Sequence, residues 1–171
     1  YINPNVVGWC IETSANSLNM LVAINAGRGG MWLIDPVDIY IGNSSNHNIL
    51  NTTINTALAS SNVTINAAAA GSCSGISCFQ APPADSVGDV WLFGAIDKTG
   101  STPTTLTLIA HKSVLINAPI TNSGTGALSV VLTAGGEVQV NQPITIKGSL
   151  QVTSTNQFTT AFMIDITANG G

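Results

Sequence analysis

Two stretches of the chain repeat each other at a fixed distance, and that spacing restricts the available folds more than any other feature. Leu106-Thr107-Leu108-Ile109-Ala110 continues into Ser113-Val114-Leu115-Ile116-Asn117-Ala118-Pro119-Ile120-Thr121. Val130-Val131-Leu132-Thr133-Ala134 continues into Glu137-Val138-Gln139-Val140-Asn141-Gln142-Pro143-Ile144-Thr145. The step from Asn117 to Asn141 is the length of one unit. A unit this short cannot bury an apolar face alone, so it must stack on a neighbouring copy. A strand, a corner, a second strand, the Asn-x-Pro-Ile-Thr segment and a third strand fill one unit. The strand-to-Asn ending recurs at Thr64-Ile65-Asn66-Ala67 and Ala23-Ile24-Asn25-Ala26, and Thr167-Ala168-Asn169-Gly170 echoes Thr133-Ala134-Gly135-Gly136.

These units predict an all-β fold, a right-handed parallel β-helix (solenoid) with roughly 20–25 residues per coil. Period-two runs cover 32–41, 62–66, 105–109, 113–117, 128–132, 137–141 and 149–153, each bounded by Gly, Asn, Ser or Pro. Helical spacing is confined to Ile54–Ser60, enough for one or two turns. An antiparallel sandwich is the competing architecture, but it calls for two-residue Asn-Gly or Asp-Gly hairpins that are scarce here. Asparagine at a recurring corner can ladder its amide onto the unit above. One domain spans 1–171, with residues 67–90 expected to project from the coil as a loop.

Only 7% of the residues are charged while 44% are hydrophobic, so the surface must be neutral and polar. That balance fits an exported, anchored or polymerised protein better than one kept in solution by charge. The four basic residues, Arg28, Lys98, Lys112 and Lys147, are scattered in a chain of net charge −4, which excludes a nucleic-acid backbone as partner. No apolar run approaches the roughly 20 residues of a membrane-spanning helix. The start at Tyr1-Ile2-Asn3-Pro4 reads as a processed piece of a longer precursor. Cys73 and Cys78 flank a Gly/Ser segment that could close a disulfide in an oxidising compartment or leave two buried thiols; Cys10 has no evident mate.

Gly29-Gly30-Met31-Trp32-Leu33-Ile34-Asp35-Pro36-Val37-Asp38-Ile39-Tyr40-Ile41 resembles the Gly-x-Trp-Leu-(Leu/Ile)-Asp-Pro-x-Asp-Ile-x-Ile segment of filamentous-haemagglutinin-like exoproteins of two-partner secretion. The stretch from Asn51 to Ile65 is similar to that family's next segment, and the Leu-Thr-Leu…Ile-Asn-Ala-Pro-Ile-Thr coils to its shaft; the likeness covers about residues 20 to 153. Asn3-Pro4-Asn5-Val6 matches three residues of the family's Asn-Pro-Asn-Gly motif. The resemblance implies a β-helical adhesin or fibre at the bacterial surface, exported through an outer-membrane pore. It gives Trp32, Leu33, Ile34, Asp35 and Pro36 a structural role and carries no catalytic residue.

An enzyme of this architecture, a polysaccharide lyase or hydrolase, needs carboxylates gathered with basic groups on one sheet. Here Glu12, Asp35, Asp38, Asp85, Asp89, Asp97, Glu137 and Asp165 are dispersed, and His47 and His111 lack partners at motif distance. Asp35 before Pro36 reads as a turn former, and Asp85 with Asp89 as a loop pair that could at most hold calcium. No catalytic, metal or cofactor site is expected. Trp32, Trp91 and Tyr40 would stack on sugars if exposed, or pack in the core if not. Asn43, Asn51 and Asn62 head glycosylation sequons. An ice- or carbohydrate-binding module would show regular Thr-x-Thr rows, of which only fragments occur. The sequence therefore points to a non-catalytic extracellular rod that meets a cell-surface glycan or protein, or assembles head-to-tail with copies of itself.

Overall fold

A computed structural model describes residues 10–14, 24–27, 30–35, 38–44, 47–67 and 88–167. In chain order the elements are β1 (Cys10–Ser14), β2 (Met31–Asp35), β3 (Ile39–Gly42), β4 (Ile49–Leu50), α1 (Asn51–Leu58), β5 (Asn62–Ala67), β6 (Val90–Leu92), β7 (Ile96–Asp97) and β8 (Thr104–Ala110). They continue as β9 (Val114–Ile116), β10 (Ile120–Thr121), β11 (Leu128–Ala134), β12 (Glu137–Val140), β13 (Ile144–Ile146), β14 (Leu150–Ser154), β15 (Gln157–Thr160) and β16 (Ile164–Ile166). The described chain is mostly strand, with one short helix.

The strands form three sheets, ordered β1-β2-β5-β8-β11-β14, β4-β3-β6-β9-β12-β15 and β7-β10-β13-β16. Every pairing among the described residues is parallel, which removes the antiparallel sandwich. From β8 onward the chain visits the first, second and third sheets in that order three times. The repeat read from the sequence sets the register: Leu106 lies beside Val130, Val114 beside Val138 and Ile120 beside Ile144, each pair separated by the same step as Asn117 and Asn141. The next step is shorter, pairing Val130 with Leu150 and Ile144 with Ile164. The difference arises at a corner: six residues join β10 to β11, whereas three join β13 to β14.

Alternation places every second side chain inward. Ile96, Ile120 and Ile144 stack in the third sheet, Val90, Val114 and Val138 in the second, and Val63, Leu106 and Val130 in the first, all essentially inaccessible. The inward residues of all three sheets belong to one buried cluster. Burying one such aliphatic side chain contributes about 1.5–3 kcal/mol. The last turn of the pattern is different. Leu150, Val152 and Ile164 are only partly buried, all of β15 is exposed, and Phe158, Phe162, Met163 and Ile166 present apolar surface, Met163 at 79% exposure.

At the opposite end of the third sheet, α1 lies where a further strand would pair with β7. Its spacing of Thr53, Ile54, Ala57 and Leu58 gives one buried face. Asn51 Nδ2 donates to the Ala95 carbonyl at 2.7 Å, and Asn55 Oδ1 accepts the Asp97 N–H at 3.1 Å. Side-chain amides thus take the hydrogen bonds that the edge of β7 would otherwise offer to water or another strand. The helix starts at Asn51, earlier than the apolar spacing from Ile54 predicts.

The corner asparagines behave as expected, with Asn141 Nδ2 donating to Asn117 Oδ1 at 2.9 Å one turn away. Other sequence expectations are corrected. The alternating run 32–41 is two strands in different sheets, β2 in the first and β3 in the second. The echo of Thr133 at Thr167 carries no equivalence, since Thr133 pairs with Thr153 in the first sheet and Thr167 follows β16 of the third. Of the expected 67–90 loop, residues 68–87 lie outside the described residues; Ala67 ends β5 and Val90 begins β6.

Candidate functional site

The second sheet carries an outward cluster of aromatic rings, whereas the outward residues of β8 and β11 are Thr105, Thr107, Ile109, Ser129, Val131 and Thr133. In β3 the inward residues Ile39 and Ile41 turn Tyr40 out, and in β6 the inward Val90 and Leu92 turn Trp91 out; the register sets Tyr40 directly beside Trp91. Phe93 follows at the end of β6. Its N–H and that of Gly94 both donate to the Ile41 carbonyl, at 2.7 and 3.1 Å, which holds its backbone against β3.

The ring centres of Tyr40 and Trp91 are 5.8 Å apart, those of Trp91 and Phe93 5.9 Å and those of Tyr40 and Phe93 6.5 Å, with planes within 23° of parallel. Three nearly equal separations describe a triangle, since a single column would put its outer rings about twice as far apart as neighbours. Tyr40 and Phe93 are 40% and 41% exposed. His47 adds a fourth ring 5.9 Å from Phe93, and its Nδ1 lies 2.9 Å from Ser44 Oγ. The imidazole rests over Gly42, where a Cβ would come within 2.3 Å of the ring, so glycine is required there. Asn48 Oδ1 accepts the Tyr40 N–H at 2.8 Å and ties the same loop to β3. Trp91 Nε1 is a buried donor without a hydrogen-bond partner among the described residues, a state that costs about 1–3 kcal/mol.

The carboxylates work differently. Asp38 Oδ1 accepts the N–H groups of Gly88 and Asp89 at 2.8 and 2.9 Å, an approach that Gly88 permits by adopting φ 77°. Asp89 Oδ1 accepts the Ser113 N–H at 2.8 Å, with Lys112 Nζ 4.0 Å from its other oxygen. Asp97 accepts from Ser123 N, Ser123 Oγ and Thr121 Oγ. Burial alone would raise the Asp97 pKa, but the Ser123 and Thr121 bonds outweigh it and hold the carboxyl below its ordinary value. These acids accept hydrogen bonds from segments distant in sequence, and among the described residues no three His, Cys, Asp or Glu side chains could share a metal ion.

Trp32 is fully buried, with Nε1 donating to Thr13 Oγ1 at 3.2 Å, and Ile34 is buried beside it. Leu33 is half-buried, Asp35 closes β2, and Pro36 lies outside the described residues, as do Cys73, Cys78 and Asp85. Of the sequon asparagines, Asn43 is exposed, whereas Asn51 is held by Ala95 and Asn62 Oδ1 accepts the Thr105 N–H at 2.8 Å. No family model, curated protein or solved structure matches the chain. Phe93 was not singled out by sequence, and His47 was considered there only as a histidine lacking a partner at motif distance, because Tyr40 and Trp91 are separated by a long stretch of sequence with no repeat to fix the register.

Lys98 is the unexpected inward residue. It is fully buried, and its Nζ donates to the Gly100 carbonyl at 2.7 Å. Burial pushes its pKa below the ordinary 10.5, so the unfolded chain binds a proton more readily than the folded one in the window just below that value. The penalty for burying this charge is therefore fully present at neutral pH and eases as pH rises through the lowered pKa toward 10.5. A Lys98→Met variant is expected to lack this alkaline gain. Denaturant midpoints of both proteins between neutral and alkaline pH check this; parallel curves would refute it.

Proposed function

We propose that this chain is a stretch of right-handed parallel β-helix serving as a non-catalytic, stiff module of an extracellular or cell-surface adhesin, of the filamentous-haemagglutinin-like kind its sequence resembles. The observation that carries this reading is the cyclic order in which successive segments join three parallel sheets around one buried cluster. Parallel crossovers are right-handed in about 98% of cases, which sets the hand. Stacked turns resist bending and proteolysis because each backbone group is tied to the turns above and below.

The ends are unequal, and this bears on assembly. Asn51 and Asn55 occupy the edge of β7, while among the described residues β14, β15 and β16 are the last strands of their sheets, beside Phe158, Phe162 and Met163. A further turn, from the same rod or from another copy, would add at that end. The use of Asp38, Asp89 and Asp97 as bonds between turns favours a structural module over a polysaccharide lyase.

Negative-stain electron microscopy is the direct test. Short rods or uniform filaments are expected, and Phe158→Ser with Met163→Ser should shorten or disperse any filament. Compact, near-spherical particles at all concentrations would refute the rod.

A further inference from the structure

We propose that Asn43 is a glycosylation site, the one among the three sequon asparagines that the fold leaves able to take an N-linked sugar. As sequence the three are equal: Asn43-Ser44-Ser45, Asn51-Thr52-Thr53 and Asn62-Val63-Thr64 each place a hydroxyl residue two positions after the amide. Attachment needs the amide nitrogen in solvent and a backbone free to enter a transferase, which is why acceptors belong to surface loops. Asn51 fails on both counts. It opens α1, its hydroxyl residue Thr53 is only 5% exposed, and its Nδ2, the atom that would carry the sugar, already donates to the Ala95 carbonyl at 2.7 Å. Asn62 opens β5, which is paired with β2 on one side and β8 on the other, and its Oδ1 accepts the Thr105 N–H at 2.8 Å. Sugar on either residue would break a bond between distant segments and draw the residue out of its element.

Asn43 differs. It lies in a bend just past the end of β3, it is exposed, and among the described residues nothing is hydrogen-bonded to its side chain. The turn beside it is fixed by other residues: the His47 N–H donates to the Ser44 carbonyl at 3.1 Å, and Ser44 Oγ lies 2.9 Å from His47 Nδ1. A sugar on Asn43 therefore displaces no bond of the fold. Only 7% of the residues are charged, so the sugar would add hydration that charge does not supply. In the transfer, Nδ2 attacks the anomeric carbon of a sugar carried on a nucleoside diphosphate. The new C–N bond forms as the anomeric C–O bond breaks, its electron pair leaves on the diphosphate, and the proton lost from Nδ2 passes to a base of the transferase. Nothing is oxidised or reduced. The modification goes beyond the rod reading and does not depend on it, since compact particles would leave the site standing.

The test is peptide mapping by mass spectrometry. In protein purified from the cells that make it, Asn43 is expected to carry sugar and Asn51 and Asn62 to be bare. A second arm treats bare, folded protein with a soluble asparagine glucosyltransferase and UDP-glucose, beside synthetic peptides of residues 39–48, 47–56 and 58–67. All three peptides are expected to accept glucose, whereas the folded chain takes it at Asn43. The initial rate there should exceed that at Asn51 or Asn62 about tenfold or more, because each of those must first lose a hydrogen bond and leave its element. Asn43→Gln should abolish the reaction while leaving circular dichroism and the denaturant midpoint as in the parent. Bare Asn43 in protein from its own cells overturns the assignment. So does a folded chain that accepts glucose equally at Asn51 or Asn62, or that refuses it at Asn43 while the peptide accepts.

Discussion

Ile120→Ala is expected to lower the free energy of unfolding by about 2–5 kcal/mol, the range for truncating a large aliphatic side chain in a closed core. Ile120 is fully buried between Ile96 and Ile144, so the lost atoms leave a void that neither neighbour can fill without moving a paired strand. The same substitution at Ile164, one turn beyond Ile144, is expected to cost about 1 kcal/mol or less, because that side chain is already partly in water. Guanidinium unfolding followed by circular dichroism compares the two. Equal losses would mean that the final turn is as enclosed as the interior, contrary to the gradient of burial along this column.

Asn122→Ala should cost nearly as much, about 2–3 kcal/mol, although it removes no hydrophobic atom. This buried side chain organises the long corner between β10 and β11. Its Nδ2 donates to the carbonyls of Lys98, Gly124 and Gly126 at 3.1–3.2 Å, and its Oδ1 accepts the Leu128 N–H at 2.8 Å. Asn122→Asp is the sharper probe. It keeps the acceptor for Leu128 but turns the donor toward three carbonyl oxygens into a second oxygen, so it should destabilise at least as strongly and recover in part when the carboxyl is protonated. An aspartate variant as stable as the parent at neutral pH would show that the amide donors are unimportant.

The sequence disclosed the repeating part of this fold because the repeat is itself the register. Once Asn117 and Asn141 are aligned, the pairings Leu106 with Val130 and Val114 with Val138 follow by counting. Where the step changes, counting fails. Tyr40 and Trp91 touch across a long excursion of chain, and neither that step nor Phe93 and His47 beside them could be read from alternation alone. The sequon asparagines also have a part in the fold that their sequence context does not disclose. The amides of Asn51 and Asn62 complete hydrogen bonds to Ala95 and Thr105, on segments far along the chain. Short strands such as β7 and β10, two residues each, carry too little pattern to be seen before the sheet they join.

Along the first sheet, neighbouring strands are joined by connections of very different length. Ile11 reaches Trp32, and Val130 reaches Leu150, by the shortest routes; Trp32 takes a longer one to Val63, and Val63 the longest, to Leu106. Doubling a connection raises its closure entropy by only about 0.6 kcal/mol, less than one buried methylene contributes. The ledges of the stack are therefore fixed by what pairs on them, and the journey between ledges is nearly free. A chain built this way can acquire, lengthen or exchange its outlying segments without disturbing the paired strands that carry them, which lets the surface diversify while the sheets stay the same.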